Sequence, residues 1–327
     1  MGSKGYNLRK RKTGKVRGDN AVVEAAWMYY HEDLNQTEIA ERLHVSRATV
    51  VNYLQEAREL GMIRLTLRPE VFTTHELSVD LCKKYDLKSA YIVPDGDRVG
   101  DLSLERVARG AAEWLPELLE PGDRLGVAWG QTIYALAEAL EPTVIEDLAV
   151  SQLVGSMATP YGFTAEICSA RLAQRLGANC INLHVPAIVS EPELAARLRQ
   201  EPIIREQLAA LSNCNKALFA IGTCTKESHV VMSGVATVKE LAWYVARGAK
   251  GVLCGQFIDA EGKAMDGPLT ERLMSVSLSK LLGLDVGLMV CVGADRVEGM
   301  VAACIGGYTT HVVTDAQTAK AMLEFGA

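Results

Sequence analysis

The amino-acid sequence predicts an α/β protein in two parts: a small, mainly helical N-terminal unit, then a large domain on a mostly parallel sheet. Three observations carry this. Residues 20–68 show helical apolar spacing, with capping residues at two helix starts. From residue 89 short apolar runs alternate with amphipathic stretches, the pattern of strands buried on both faces and joined by crossover helices. The length, 327 residues, suits two domains better than one.

The elements follow in order. Val22, Ala25, Ala26, Tyr29 and Tyr30 mark one face of a helix over 21–31. Asn35, with Glu38 three residues on, is a capping box for a second helix running to Leu43 and burying Ile39 and Ala40. A tight turn at His44–Val45 follows. Ser46 caps a third helix that runs to Leu60 and stops at Gly61. Residues 62–69 alternate like a strand and end at Pro69. This is the plan of a winged helix-turn-helix. The domain spans 20–70, behind a basic arm over 1–19 and ahead of a linker helix over 71–88.

The large domain spans 89–327. Strands are expected at 89–93, 124–129, 148–155, 181–187, 216–222, 251–258, 286–293 and 310–315. Helices are expected at 102–119, 132–140, 163–176, 191–211, 237–247, 295–304 and 315–325.

Apolar residues make up 49% of the chain, enough for a sizeable core. No run approaches the ~18–20 apolar residues of a membrane helix, and the basic N-terminus leads into no apolar signal segment. A cytoplasmic protein without membrane contact is expected. The net charge of −6 argues against a surface coated for nucleic acid. Its distribution is more telling: residues 1–18 hold seven Lys or Arg and no acid, while the body is acidic. Such a chain touches phosphate at one end only. The eight cysteines form no CxxC pair and lie mostly in apolar runs, so buried reduced thiols are expected, with no metal, disulfide or cofactor.

The helix-turn-helix segment over 35–61 is the strongest signal. Ala40 is the small residue needed where the two helices cross. Val50, Leu54 and Ala57 fall on the inner face of the third helix. Ser46, Arg47, Thr49, Val51, Asn52 and Gln55 fall outward or near its start. Arg47 can bond guanine with two hydrogen bonds, and Asn52 or Gln55 can do so with adenine. Ser46 and Thr49 suit phosphate contacts. Gln36 and Thr37, opening the second helix, complete the candidate DNA-binding set.

In the second domain, residues 126–140 read as strand, glycine turn and helix start. Gly130 would let the backbone approach a ligand, and amides near Gln131 and Thr132 would face an anion. The turn is neither a dinucleotide fingerprint nor a P-loop.

The chain as a whole, about residues 20–325, resembles the SorC family of sugar-sensing bacterial regulators. The segment QTEIAERLHVSRATVVNYLQEARELGMI is similar to its DNA-binding region and GVAWGQT to its first effector loop. QLVG (152–155), PAIV (186–189), AIG (220–222), GQFIDAEG (255–262) and VVTDAQTAKAML (312–323) follow in family order. The resemblance implies a Rossmann-like effector domain similar to ribose-phosphate isomerase and glucosamine-phosphate deaminase, used for sensing. It implies a homotetramer that binds operator DNA, with a sugar, polyol or sugar phosphate at the C-terminal ends of the strands. Carried over by position, the effector contacts are Gly130, Gln131, Thr132, Gly155, Ser156, Gly222, Cys224, Asp259, Gly293 and Arg296.

Two positions depart from the family pattern. Arg296 stands where a Lys is frequent; it keeps the charge but cannot act as an amine nucleophile, which argues against a Schiff-base effector. Asn52 stands where an Arg is common, so the preferred operator should differ. The alternative function is a sugar-phosphate isomerase or deaminase, with Asp259 as the best candidate base and His184 expected to be a core or strand residue. Nothing in such an enzyme calls for a capped helix-turn-helix.

Overall fold

Along the strands of the second unit successive residues are buried in opposite cores, and this builds the fold. In the computed structural model the described residues are 15–63, 68–95, 101–158, 160 and 162–326. The chain divides into two units, Met1–Leu67 and Arg68–Ala327.

The first unit holds α1 (Lys15–Tyr30), α2 (Gln36–Leu43) and α3 (Arg47–Glu59). Val22, Ala25, Ile39, Ala40, Val50, Leu54 and Ala57 form its core. The first helix starts within the basic arm, whose residues 1–14 lie outside the described residues, as do residues 64–67 of the expected wing strand.

The second unit opens with α4 (Pro69–Thr73), α5 (Glu76–Tyr85) and β1 (Ser89–Val93). Next come α6 (Asp101–Trp114), β2 (Arg124–Val127), α7 (Gln131–Ala139) and β3 (Ala149–Gln152). Then follow α8 (Ala165–Leu176), β4 (Asn179–Ile181), α9 (Pro192–Gln200), α10 (Pro202–Ser212) and β5 (Lys216–Phe219). The chain continues through α11 (His229–Met232), α12 (Val238–Val245), β6 (Gly251–Leu253) and β7 (Gln256–Ile258). It ends with β8 (Val286–Val290), α13 (Val297–Ile305), β9 (His311–Asp315) and α14 (Ala316–Glu324).

Among the described residues a seven-stranded sheet runs in the order β1-β9-β8-β5-β2-β3-β4, with every pairing parallel. Tyr91, Val93, Leu218, Leu288 and Val290 face a core built with α6, α7 and α8. Their neighbours Ala90, Ile92, Ala217, Phe219, Met289 and Cys291 face a second core built with α5, α13 and α14. This is the two-residue alternation of a doubly covered sheet.

The segment expected as a linker, 71–88, lies in this unit. Phe72 stacks on Tyr91 at 4.6 Å, and the Tyr85 hydroxyl and Lys84 ammonium donate to carbonyls at the end of α14. Leu81 is fully buried, which holds α5 down.

Three expected elements differ. The run 251–258 is not one strand but the antiparallel pair β6–β7, because Cys254 and Gly255 both adopt positive φ and reverse the chain. The helix expected over 191–211 breaks at Glu201, and Pro202 opens a new helix. The strand expected at 181–187 ends at Ile181; His184 beyond it is exposed, not a core residue.

At the N-terminal ends of the strands His311 is 8% exposed. Burial, with Lys88 and Lys216 nearby, pulls its imidazole down to about 4. The unfolded chain takes up a proton near pH 6.5 that the fold refuses, so stability falls as pH drops from there toward 4. A shift of this size corresponds to a loss of up to about 3 kcal/mol. Thermal melts of wild type and His311→Asn at pH 7.5 and 4.5 check this. The variant is expected to lose less on acidification; equal losses would remove His311 as the cause.

Candidate functional site

Two sites emerge, one in each unit. In the first, Asn35 accepts from the Thr37 and Glu38 amides, while the Glu38 carboxylate accepts from the Asn35 amide at 2.7 Å. The expected capping box is therefore formed. His44 ends α2 in the left-handed conformation, φ 53°, and turns the chain without a glycine. Ser46 then caps α3, accepting from the Thr49 amide at 3.1 Å.

These caps set the face that α3 presents. Val50, Leu54 and Ala57 point into the core, whereas Arg47, Asn52 and Gln55 are exposed. The Arg47 Nε donates to the Gln36 side chain at 3.2 Å, so the starts of the two helices are tied together. Gln55 donates to Glu59 at 2.9 Å. Val51, expected to face outward but given no contact, and Ala48, not singled out, are also exposed on α3. Apolar groups here can meet thymine methyls, which a search for polar base readers overlooks.

The second site follows from sheet topology. β2 continues through α7 to β3 on one side, while the chain returns to β5 on the other side of β2. The loops after β2 and β5 therefore leave toward opposite faces and open a crevice at the strands' C-terminal ends. A cleft of about 210 Å³ lies there, lined by residues 128–132, 220–223, 225, 227–230, 252, 254–255 and 295–296.

Gly130, Gln131, Thr132, Gly222 and Arg296 thus line one cleft. Gly130 has φ 147°, a conformation that side chains resist, and no side chain caps α7 behind it. The first amides of α7 have no intrahelical acceptor and can receive an anion. The Arg296 Nε is buried without a hydrogen-bond partner. Its charge reaches His229, whose imidazole is held below its usual range by burial first and by Arg296 second. Glu227 and Asp295 stand exposed at the rim, where they can accept from hydroxyls.

The remaining carried-over positions lie outside this cleft. Gly293 precedes Arg296 in its loop and donates to Thr318 Oγ1 at 3.0 Å. Cys224 is half-buried, its thiol pushed up to about 11 by burial. The Asp259 carboxylate accepts from the Glu261 and Lys263 amides, closing its own turn. That use explains the FIDAEG pattern without a base. Gly155 and Ser156 belong to the β3 exit: a Cβ on Gly155 would stand 2.6 Å from the Val185 carbonyl, so close backbone packing demands this glycine. Ser156 lines a separate open depression with Glu166 and His184.

Trp129, Ser228 and His229 are among the cleft residues that were not candidates. Trp129 lay within the quoted glycine-turn segment, but nothing marked it as facing the cleft. Ser228 is 5% exposed, and its Oγ has no hydrogen-bond partner. Five of the cysteines are buried as expected, Cys82 and Cys224 are half-buried, and Cys180 is exposed. Among the described residues no helix is long and apolar enough to cross a membrane.

Known families match over both parts of the chain. The Sugar-bind family, a family of sugar-binding domains, matches residues 69–324, and an HTH domain family matches residues 28–71. The transcriptional regulator YjhU of Escherichia coli K12 is 35% identical over 320 residues, covering 96% of this chain and 98% of its own. The deoxyribonucleoside regulator of Bacillus subtilis is 29% identical, covering 92% and 96%. In fold, the chain is similar to the full-length sorbitol operon regulator SorC of Klebsiella pneumoniae, with a TM-score of 0.78, 22% identity and coverage of 96% and 100%. These relatives are transcriptional regulators, and the isomerase or deaminase alternative gains no support from them. The chain is a DNA-binding transcriptional regulator with a sugar-binding domain, and it belongs to the SorC family.

Proposed function

We propose that this regulator controls carbohydrate or polyol catabolic genes from the cytoplasm. Its hold on operator DNA is set by a phosphorylated sugar in the switch-point cleft. The observation that carries this reading is the unpartnered, buried Arg296 Nε in the same cleft as the uncapped α7 amides. A guanidinium and a helix start together suit phosphate better than a neutral sugar or polyol. Two relatives are named for sugar-derived compounds, a deoxyribonucleoside and sorbitol, in line with this class. A thermal-shift screen against sugars, polyols and their phosphates tests it: only a ligand of the native state raises the melting temperature. Stabilisation by free polyols but not by any phosphate would contradict the phosphate assignment.

On the DNA side, Arg47, Asn52 and Gln55 read base edges, Ala48 and Val51 meet thymine methyls, and Gln36, Thr37, Ser46 and Thr49 hold phosphates. Arg47→Ala is expected to cost about 1–3 kcal/mol on the preferred operator and to relax specificity at one base pair. Binding isotherms on operator variants decide this, since equal losses on every sequence would reduce Arg47 to a phosphate contact. The active species is a homotetramer on a palindromic or repeated site, because one helix-turn-helix covers too short a site for tight specific binding. Light scattering with and without DNA checks the assembly; a monomer in both states contradicts it.

A further inference from the structure

The cleft has two kinds of lining. One part supplies donors, the α7 amides and Arg296. Another is aromatic. Trp129 and His229 both line the cleft, with ring centroids 5.9 Å apart and planes tilted by 31°. Phe163 backs His229 edge-on at 5.5 Å, and Tyr134 stacks on Phe163 at 5.7 Å. This aromatic train fixes the orientation of the two rings. Burial first and the neighbouring Arg296 second hold the imidazole below its usual range.

Ser228 stands beside His229 with its buried Oγ unpaired. A buried hydroxyl without a partner is costly to the protein alone and is satisfied when a ligand supplies one. The cleft, at about 210 Å³, is smaller than the ~300–1,000 Å³ sites of drug-sized ligands, which limits the occupant to a small molecule.

These features match a closed sugar ring. A pyranose or furanose can place its C–H groups on one face and send hydroxyls outward from its edge. An open polyol chain carries hydroxyls along its length and has no flat apolar face to lay on an indole. A ring also arrives preorganised, whereas an open chain loses torsional freedom on binding. We propose that the effector is a cyclic sugar phosphate whose C–H face lies on Trp129, with a hydroxyl on Ser228 Oγ. Its phosphate lies at α7 and Arg296. This rests on the sugar-phosphate reading above and narrows it to ring-closed effectors.

The test uses the full-length chain and matched pairs: ribose 5-phosphate against ribitol 5-phosphate, and glucose 6-phosphate against sorbitol 6-phosphate. Affinities are read by calorimetry and by intrinsic tryptophan fluorescence. In at least one pair the cyclic member is expected to bind about tenfold more tightly than its acyclic partner, with a fluorescence change. Trp129→Leu should collapse that ratio toward one, whereas Trp129→Phe, which keeps a flat ring and the packing, should retain most of it. Ser228→Ala should weaken the cyclic member more than the acyclic one. Tighter or equal binding of the polyol phosphates overturns the ring inference while leaving the phosphate reading intact, as does a ratio unchanged in Trp129→Leu. If no pair binds and only unphosphorylated sugars do, the phosphate reading fails and this inference falls with it.

Discussion

Replacing Arg296 by Ala is expected to weaken effector binding about tenfold to a hundredfold. The buried Nε has no well-formed hydrogen bond, and the guanidinium, which also acts on the Cys291 thiol, shares its cleft with the amides of Gln131 and Thr132. One lost charged hydrogen bond in a site of this kind is worth roughly 1.5–3 kcal/mol. Arg296→Lys should recover part of the loss, because the charge returns without the planar fork. Calorimetric titration of the three proteins with the sugar phosphate that most raises the melting temperature provides the check. Unchanged affinity in Arg296→Ala would make the loop after β8 a structural turn.

Replacing Asp123 by Ala is expected to destabilise the second unit by about 3–5 kcal/mol, the usual consequence of stranding one member of a buried ion pair. The two side chains are each 7% exposed, and Lys216 Nζ approaches the Asp123 carboxylate at 2.6 Å. Asn215 and the Glu120 amide also donate to that carboxylate, at 2.7 Å each. Burial alone would raise the acid; these hydrogen bonds and the Lys216 charge outweigh it and hold it below its ordinary value. The pair's contribution is present above the ordinary carboxylate range and fades as pH falls through the lowered value. The charges tie β2 to β5, the two strands that flank the cleft. Urea unfolding reads the effect, and the double variant Asp123→Leu, Lys216→Met should be less damaged than Asp123→Ala. A single-variant loss below about 1 kcal/mol would mean that water already satisfies Lys216.

Much of the architecture was legible because burial on both faces leaves a plain trace. Strands such as 90–93 and 286–290 are buried runs without a charged or polar side chain between helical stretches. The β6–β7 pair was hidden by that same signal, since its reversal uses Cys254 at φ 49° in place of a usual turn residue. The break before Pro202 was marked in the sequence, but apolar spacing on both sides masked it. At the site, Gly130 stood out as the glycine turn between a buried strand and a helix start, and Arg296 through the family resemblance. Ser228 did not, because the loop after β5 is long and irregular, and no spacing rule says which of its residues turns inward. Asp259 and Gly155 drew attention for a different reason: turn chemistry and close backbone packing select the same residue types as a binding loop.

The central claim is that the cleft and the recognition helix are coupled. If a sugar phosphate changes operator affinity, operator DNA must change sugar-phosphate affinity by the same factor. The most direct measurement is therefore operator binding by the full-length chain, using duplexes it selects from a random pool, with and without a sugar phosphate shown to bind. The account predicts a shift of at least about fivefold in operator affinity. It also predicts that in Arg296→Ala the shift moves to higher ligand concentration by the same factor as the loss in ligand affinity. An operator affinity that stays the same when the cleft is saturated would contradict it.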